Sequence, residues 1–277
     1  MAEPIHSGGG ATPTMAAAVV IAPGRIEVVR ARLPEPGAGQ VRVRLEGCGV
    51  CASNLPPWEG KPWFTYPMAP GQLGHEGWGR VDAVGPGVRA VRPGDRVALL
   101  SDHAYAEYDV APVGAVVALP PTLNGHPFPG EPLGCAMNIM VRSDVRDGQT
   151  VAVVGIGFLG ALLTRLAHLR GGRVIAIGRR PYALEVARAM GADEIVPMDD
   201  HQRIIERVGT LTGGALCQCV IEATGRQWPL DLAAELTCER GRLVIAGYHQ
   251  DGPRQVNMQL WNWRGLDVIN AHERDVR

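Results

Sequence analysis

Lysine is almost missing from this chain of 277 residues: it occurs once, at Lys61, and arginine supplies the rest of the 27 basic side chains. Against 28 acidic residues these leave a formal net charge of −1. Without a basic excess there is no electrostatic footprint for a phosphate backbone, so nucleic acid is excluded as a partner. Long apolar runs are also missing. Apolar runs such as 151–154 and 158–163 fall far short of a membrane span. The first residues contain no basic stretch followed by an apolar one, so no export signal is read and a cytoplasmic location is expected. Cysteine is sparse: six residues, unevenly spaced, do not make a disulfide framework in a chain of this size. What is present, 46% hydrophobic and 20% charged residues, is the composition of a globular protein and excludes wholesale disorder.

Residues 1–14 are small, polar and glycine-rich and read as a disordered leader. From 15 to about 130 short strands are predicted at 16–21, 26–29, 41–45, 80–84 and 96–100, split by Pro-Gly breakers and without a long helix. The stretch Val41-Arg42-Val43-Arg44-Leu45 alternates with period two, as a half-buried strand does. Beyond 131 the pattern becomes alternating. Strands are predicted at 151–154, 173–177, 219–221, 243–246 and 266–269, with helices at 158–170, 182–190, 201–209 and 230–238. All-apolar strands alternating with helices indicate a doubly wound parallel sheet. The fold class is therefore α/β, with a β-rich domain over 15–134 followed by a Rossmann-type domain over 135–277.

Strand 151–154 runs into Gly155-Ile156-Gly157-Phe158-Leu159-Gly160 as a helix opens. Strand before and helix after turn a weak glycine spacing into a strong dinucleotide fingerprint. Gly155 allows the tight turn, Gly157 lets the backbone approach a pyrophosphate, and Gly160 lets helix pack on strand. At the end of the second strand, where an NAD site places an acidic residue, stand Gly178-Arg179-Arg180. Two guanidinium groups suit a 2′-phosphate, so NADP is expected rather than NAD. In the first half, Gly49-Val50-Cys51-Ala52-Ser53-Asn54 and Gly74-His75-Glu76-Gly77 carry donors of the kind zinc prefers.

Taken in order, GVCASN, GHEGWGRVDAVGPGV, RPGDRV, YAEY, EPLG, VVGIGFLG, GAD (191–193) and VIEATG (220–225) resemble the medium-chain dehydrogenase/reductase superfamily, in its zinc-dependent alcohol and polyol dehydrogenase branch. The resemblance covers about residues 16–275. It implies a GroES-like catalytic domain joined to a Rossmann domain, one catalytic zinc, and hydride transfer between an alcohol and NADP to give a ketone or aldehyde. It further implies that Cys51 and His75 are zinc ligands, that Ser53 passes on the substrate proton, and that Glu76 binds the metal or stands beside it. Glu131 is implied as the third ligand, with Cys135 and then His103 as alternatives. Phe158, Leu159 and Thr224 join the glycines and arginines in the nucleotide site. The implied assembly is a homodimer or homotetramer pairing through the edge strand near 266–270.

The chain departs from the family pattern in three places. Asn54 stands where an aspartate commonly orients the zinc-bound imidazole, so an amide is expected to orient His75. No four-cysteine cluster lies between Val97 and Tyr105, so a structural zinc is not expected. The family's closing return to the first domain is not reached by Arg277, which leaves part of the β-domain expected to be unpaired or completed by a partner chain. Two other readings are a zinc-free NADPH-dependent quinone or enoyl reductase of the same superfamily, and a non-catalytic truncated homologue. The other cysteines, Cys48, Cys217, Cys219 and Cys238, are expected to be structural, with Cys48 buried and Cys238 ending a helix.

Overall fold

The computed structural model describes residues 12–271. Its internal contacts divide the chain into two compact units, one ending at Glu131 and the other beginning at Pro132. Residues 1–11, most of the expected leader, lie outside the described residues. Thr14 is not part of a leader: it opens the first strand and pairs with Arg32.

The first unit begins with a hairpin, β1 (Thr14–Ala22) and β2 (Arg25–Arg32). There follow β3 (Gln40–Cys48), a short helix α1 (Leu55–Glu59), β4 (Gly77–Val84), β5 (Arg96–Leu99), β6 (Tyr108–Pro112) and β7 (Val116–Ala118). The last five strands form one antiparallel sheet in the order β6-β3-β4-β5-β7. Period-two alternation sets its register: Val41 and Val43 are fully buried, while Arg42 lies on the opposite face, where its guanidinium meets Asp82 at 2.7 Å. Their partners in the core are Val81, Val97, Leu99 and Ala111.

The boundary carries a 14-residue helix, α2 (Gly130–Ser143), that the sequence reading did not contain. Gly130, Pro132 and Gly134 look like breakers. Proline, however, is tolerated in a first helical turn, where its missing N–H has no partner to lose. The burial of Ala136, Ile139, Met140 and Ser143 has helical spacing.

The second unit continues with β8 (Thr150–Val154), α3 (Phe158–Leu169), β9 (Arg173–Gly178), α4 (Pro181–Ala189), β10 (Glu194–Pro197), α5 (His201–Leu211), β11 (Cys217–Glu222), α6 (Gln227–Leu236), β12 (Thr237–Ile245), α7 (Met258–Arg264) and β13 (Asp267–Asn270). The six strands are all parallel, in the order β10-β9-β8-β11-β12-β13. In terms of chain order this is 3-2-1-4-5-6, the dinucleotide-binding order, whose ligand crevice lies where the winding reverses, between β8 and β11. Apolar clusters cover both faces, around Leu163 and Ile221 on one and around Ile175, Leu232 and Leu243 on the other.

The helix expected over 230–238 starts earlier and stops at Leu236. Thr237 pairs with Cys217 in the sheet, so Cys238 lies in β12 instead of ending a helix. Tertiary pairing overrides a helical pattern there. Strand β10 and helix α7 were also absent from the sequence reading. Each is short, and α7 depends on a local cap, the Asn257 side chain accepting from the Leu260 amide at 3.0 Å. No helix among the described residues is long and apolar enough to cross a membrane.

Candidate active site

In the first unit, β3 ends at Cys48 and hands over to a single tight turn, Ala52–Asn54, before α1. This segment carries Cys51 and Ser53. His75 and Glu76 lie immediately before the start of β4. Gly49 seats the two segments together. A Cβ at Gly49 would lie 1.8 Å from Glu76 Oε2, so only glycine fits beside that carboxylate.

The ligand atoms of Cys51, His75 and Glu76 all lie within 4.8 Å of one another. Glu76 is buried, and Cys51 and His75 are half-buried. Glu131, in the first turn of α2, lies outside this tight trio, although its charge acts on both His75 and Glu76. Cys135 is half-buried one turn further along α2. His103 is exposed; its backbone bridges to Gly74.

The electrostatics of the trio are those of a site short of positive charge. Burial pushes the Glu76 carboxyl up, and the neighbouring charge of Glu131 adds to it. Burial also raises the Cys51 thiol, yet hydrogen bonds with His75 and Ser53 outweigh it, and the thiol ends below its ordinary value. His75 is pushed up to about 9 by its hydrogen bond to Cys51, against the opposing effect of burial. Cys48 is half-buried rather than buried, and desolvation raises its thiol to about 11.

The expectation for Asn54 does not hold. Its amide Nδ2 donates to the Tyr105 hydroxyl at 2.6 Å, and His75 Nδ1 meets the Leu73 carbonyl at 2.9 Å instead. With Nδ1 committed to a carbonyl, Nε2 is the nitrogen left to act as a ligand. Leu73 holds this position at φ +82, a left-handed conformation that is costly for a leucine. Nothing in the sequence signals it. Tyr105 was visible only as part of YAEY.

In the second unit the fingerprint glycines occupy three different situations. Gly155 has φ +102, and a Cβ there would strike Thr224 Cγ2 at 2.2 Å. A Cβ at Gly160 would meet the Gly155 carbonyl at 2.0 Å, so α3 can lie against β8 only without one. Gly157, with φ −101 and ψ −159, would place a Cβ in open space, so neither backbone nor packing within the chain demands glycine there. The space beside it, at the start of α3, is open. Phe158 is exposed, Leu159 half-buried and Gly178 buried at the end of β9. Arg179 and Arg180 are exposed, and their guanidinium groups have no partner among the described residues.

At the end of β11 stands a residue the sequence reading did not single out. Glu222 is completely buried. One carboxylate oxygen accepts from the amides of Thr224 at 2.7 Å and Gly225 at 2.9 Å and from the Thr224 hydroxyl; the other meets His249 Nε2 at 3.0 Å. Arg254 Nε donates to His249 Nδ1 at 2.7 Å, which fixes the imidazole proton on Nε2. The available sequence signal was a carboxylate at the carboxyl end of an otherwise apolar strand.

A six-stranded parallel sheet with this strand order and glycine turn, preceded by a GroES-like β-domain holding Cys, His and Glu donors, is the architecture of nucleotide-dependent dehydrogenases. Two family models match the chain: the alcohol dehydrogenase GroES-like domain over residues 37–121 and the zinc-binding dehydrogenase domain over residues 159–274. The chain belongs to the medium-chain dehydrogenase/reductase superfamily, in its zinc-dependent alcohol and polyol dehydrogenase branch. It is 32% identical over 220 residues to an alcohol dehydrogenase of Geobacillus stearothermophilus, a match covering 66% of this chain and 64% of that one. It is 26% identical over 271 residues to a sorbitol dehydrogenase of Halalkalibacterium halodurans, covering 86% of this chain and 78% of the relative. Among solved structures, one from Sinorhizobium meliloti 1021, described as a zinc-binding dehydrogenase bound to NADP, superimposes with a TM-score of 0.81 at 27% identity, covering 94% of this chain and 84% of that one.

Proposed function

We propose that this protein is a zinc-dependent, NADP-linked dehydrogenase that converts a secondary alcohol or polyol to the ketone or aldehyde, and the reverse. The observation that carries the reading is the convergence of Cys51, His75 and Glu76 within 4.8 Å, one thiolate, one imidazole and one carboxylate, the donor set of a catalytic zinc site. Glu131 is the further ligand in this reading, because its charge already acts on two members of the trio. Bound zinc supplies Lewis acidity toward the substrate oxygen. Ser53, hydrogen-bonded to Cys51, takes the substrate proton at its hydroxyl and passes it on. NADP is the hydride carrier, and the protein contributes its placement. Gly155, Gly157, Phe158, Leu159 and Gly160 receive the pyrophosphate, and Thr224 lies beside that turn. Gly178, Arg179 and Arg180 receive the adenosine 2′-phosphate, for which two unpartnered guanidinium groups are suited. The working assembly is a homodimer or homotetramer.

Elemental analysis of purified protein and of its Cys51→Ala variant tests the metal half. About one zinc per chain, lost in the variant, is expected from three or four protein ligands at a single site. Absence of zinc from both samples overturns the reading and leaves the zinc-free reductase.

A further inference from the structure

The segments that bring Cys51 and His75 together are far apart in the chain, and no strand pairing joins residues 50–54 to residues 71–75. Besides the Cys51–His75 contact itself, one side chain does. Tyr105 is fastened at its backbone to the His75 segment: its amide donates to the Gly71 carbonyl at 3.1 Å, and the neighbouring Ala104 amide donates to the Gly74 carbonyl at 2.9 Å. The approach is so close that a Cβ at Gly74 would lie 2.3 Å from the Tyr105 nitrogen. At its other end the phenol is fastened to the Cys51 segment. The hydroxyl donates to the Gly49 carbonyl at 3.1 Å and accepts from Asn54 Nδ2 at 2.6 Å, gripping both ends of the loop that carries Cys51 and Ser53.

We propose that Tyr105 is the positioning residue of the metal centre, a strut that holds the Cys51 loop at ligand distance from His75. The inference rests on the zinc reading of the cluster. In this arrangement the imidazole is oriented by the Leu73 carbonyl, which releases Asn54 to serve the thiolate loop through the phenol. Burial, with the charges of Cys48, Glu76 and Cys51 nearby, pushes the phenol up to about 12, so it stays protonated and able to donate to Gly49. The Cys51 side of the site has few other ties: Gly49 amide to Glu76 carbonyl at 3.1 Å and Asn54 amide to Cys51 carbonyl at 3.1 Å. Without the hydroxyl, the loop keeps its local turn, and its links across the site are reduced to the Gly49 amide bond and the contacts of the Cys51 side chain with His75 and Glu76.

Tyr105→Phe removes only the hydroxyl and keeps the ring and both backbone ties. Zinc affinity is measured by competition with a chromophoric chelator, and the cobalt-substituted protein is examined for its thiolate-to-metal absorption band. Loss of an outer partner of a ligand lowers metal affinity by about 10- to 100-fold, which is the expected result, with a shifted cobalt band. Asn54→Ala is expected to show a smaller loss, and the double variant to be no weaker than Tyr105→Phe alone, because both lie on one relay. Parent-like affinity and cobalt band in Tyr105→Phe, or fully additive losses in the double variant, overturn the strut. If the parent itself holds no zinc, the proposed function fails on its own. The strut is then judged in the metal-free protein by hydrogen exchange at the Gly49 and Asn54 amides: faster exchange in Tyr105→Phe supports it, and an unchanged rate overturns it.

Discussion

Replacing Glu222 with glutamine tests whether the carboxyl end of the parallel sheet depends on a fixed pattern of donors and acceptors. The carboxylate accepts from four donors: the Thr224 amide and hydroxyl, the Gly225 amide, and His249 Nε2. A glutamine can keep its oxygen toward the three donors on the Thr224 side. Its amide nitrogen then faces His249 Nε2–H, donor against donor. The imidazole cannot escape by moving its proton to Nδ1, because Arg254 Nε already donates there at 2.7 Å. Every arrangement leaves one buried donor unsatisfied, which costs about 1–3 kcal/mol, and weakens the bonds that were assisted by the carboxylate's charge. The expected destabilisation is about 2–4 kcal/mol, or roughly 5–15 °C in the melting temperature of a domain of this size. Chemical denaturation monitored by tryptophan fluorescence and by circular dichroism measures it. A second variant, His249→Ala, removes the opposing donor, so the double variant should be less destabilised than the sum of the two singles. Parent-like stability of Glu222→Gln, within about 0.5 kcal/mol, would refute the reasoning.

Two further outcomes are expected. Arg179→Ala should raise the Michaelis constant for NADPH by about 10-fold or more, the worth of a charge-assisted hydrogen bond to phosphate, and leave that for NADH nearly unchanged; equal effects on the two coenzymes would remove the 2′-phosphate assignment. Cys217 and Cys219 have thiols pushed up to about 12 by burial in the sheet, so at pH 8 only about one in ten thousand of each is thiolate. Iodoacetamide labelling read by peptide mass spectrometry should therefore leave both untouched in the native protein and modify them on unfolding. Native labelling at a rate comparable to Cys51 in metal-free protein would contradict their placement.

The motifs that the resemblance rests on show different degrees of legibility. Gly155 and Gly160 were readable because the requirement is local: a left-handed φ at one and a backbone contact five residues back at the other. The β-domain strands were readable because alternation records burial directly, as at Val41 and Val43. Helix α2 was not, because Gly130 and Pro132 sit in the first turn, which tolerates them, and Gly134 lies just beyond it. Cys238 was misplaced because its neighbour Thr237 is drawn into the sheet by Cys217, a partner distant in sequence.

What sterics and hydrophobic period dictate over a few residues was legible along the chain. The chain set the order of a β-rich half and an alternating half, the glycine turn in which Gly155 and Gly160 leave no room for a Cβ, and the arginines that stand in place of an acidic residue after β9. It also supplied the metal-binding donor types. Which donors meet is set by folding, because Cys51, His75 and Glu76 converge through the pairing of β3 with β4. It also reassigned the supporting groups, giving His75 to the carbonyl of a left-handed Leu73 and Asn54 to Tyr105, and closing Glu222 with His249 and Arg254. These are hydrogen bonds between segments that only folding brings together. Their energies depend on burial and geometry, which spacing along the chain does not encode.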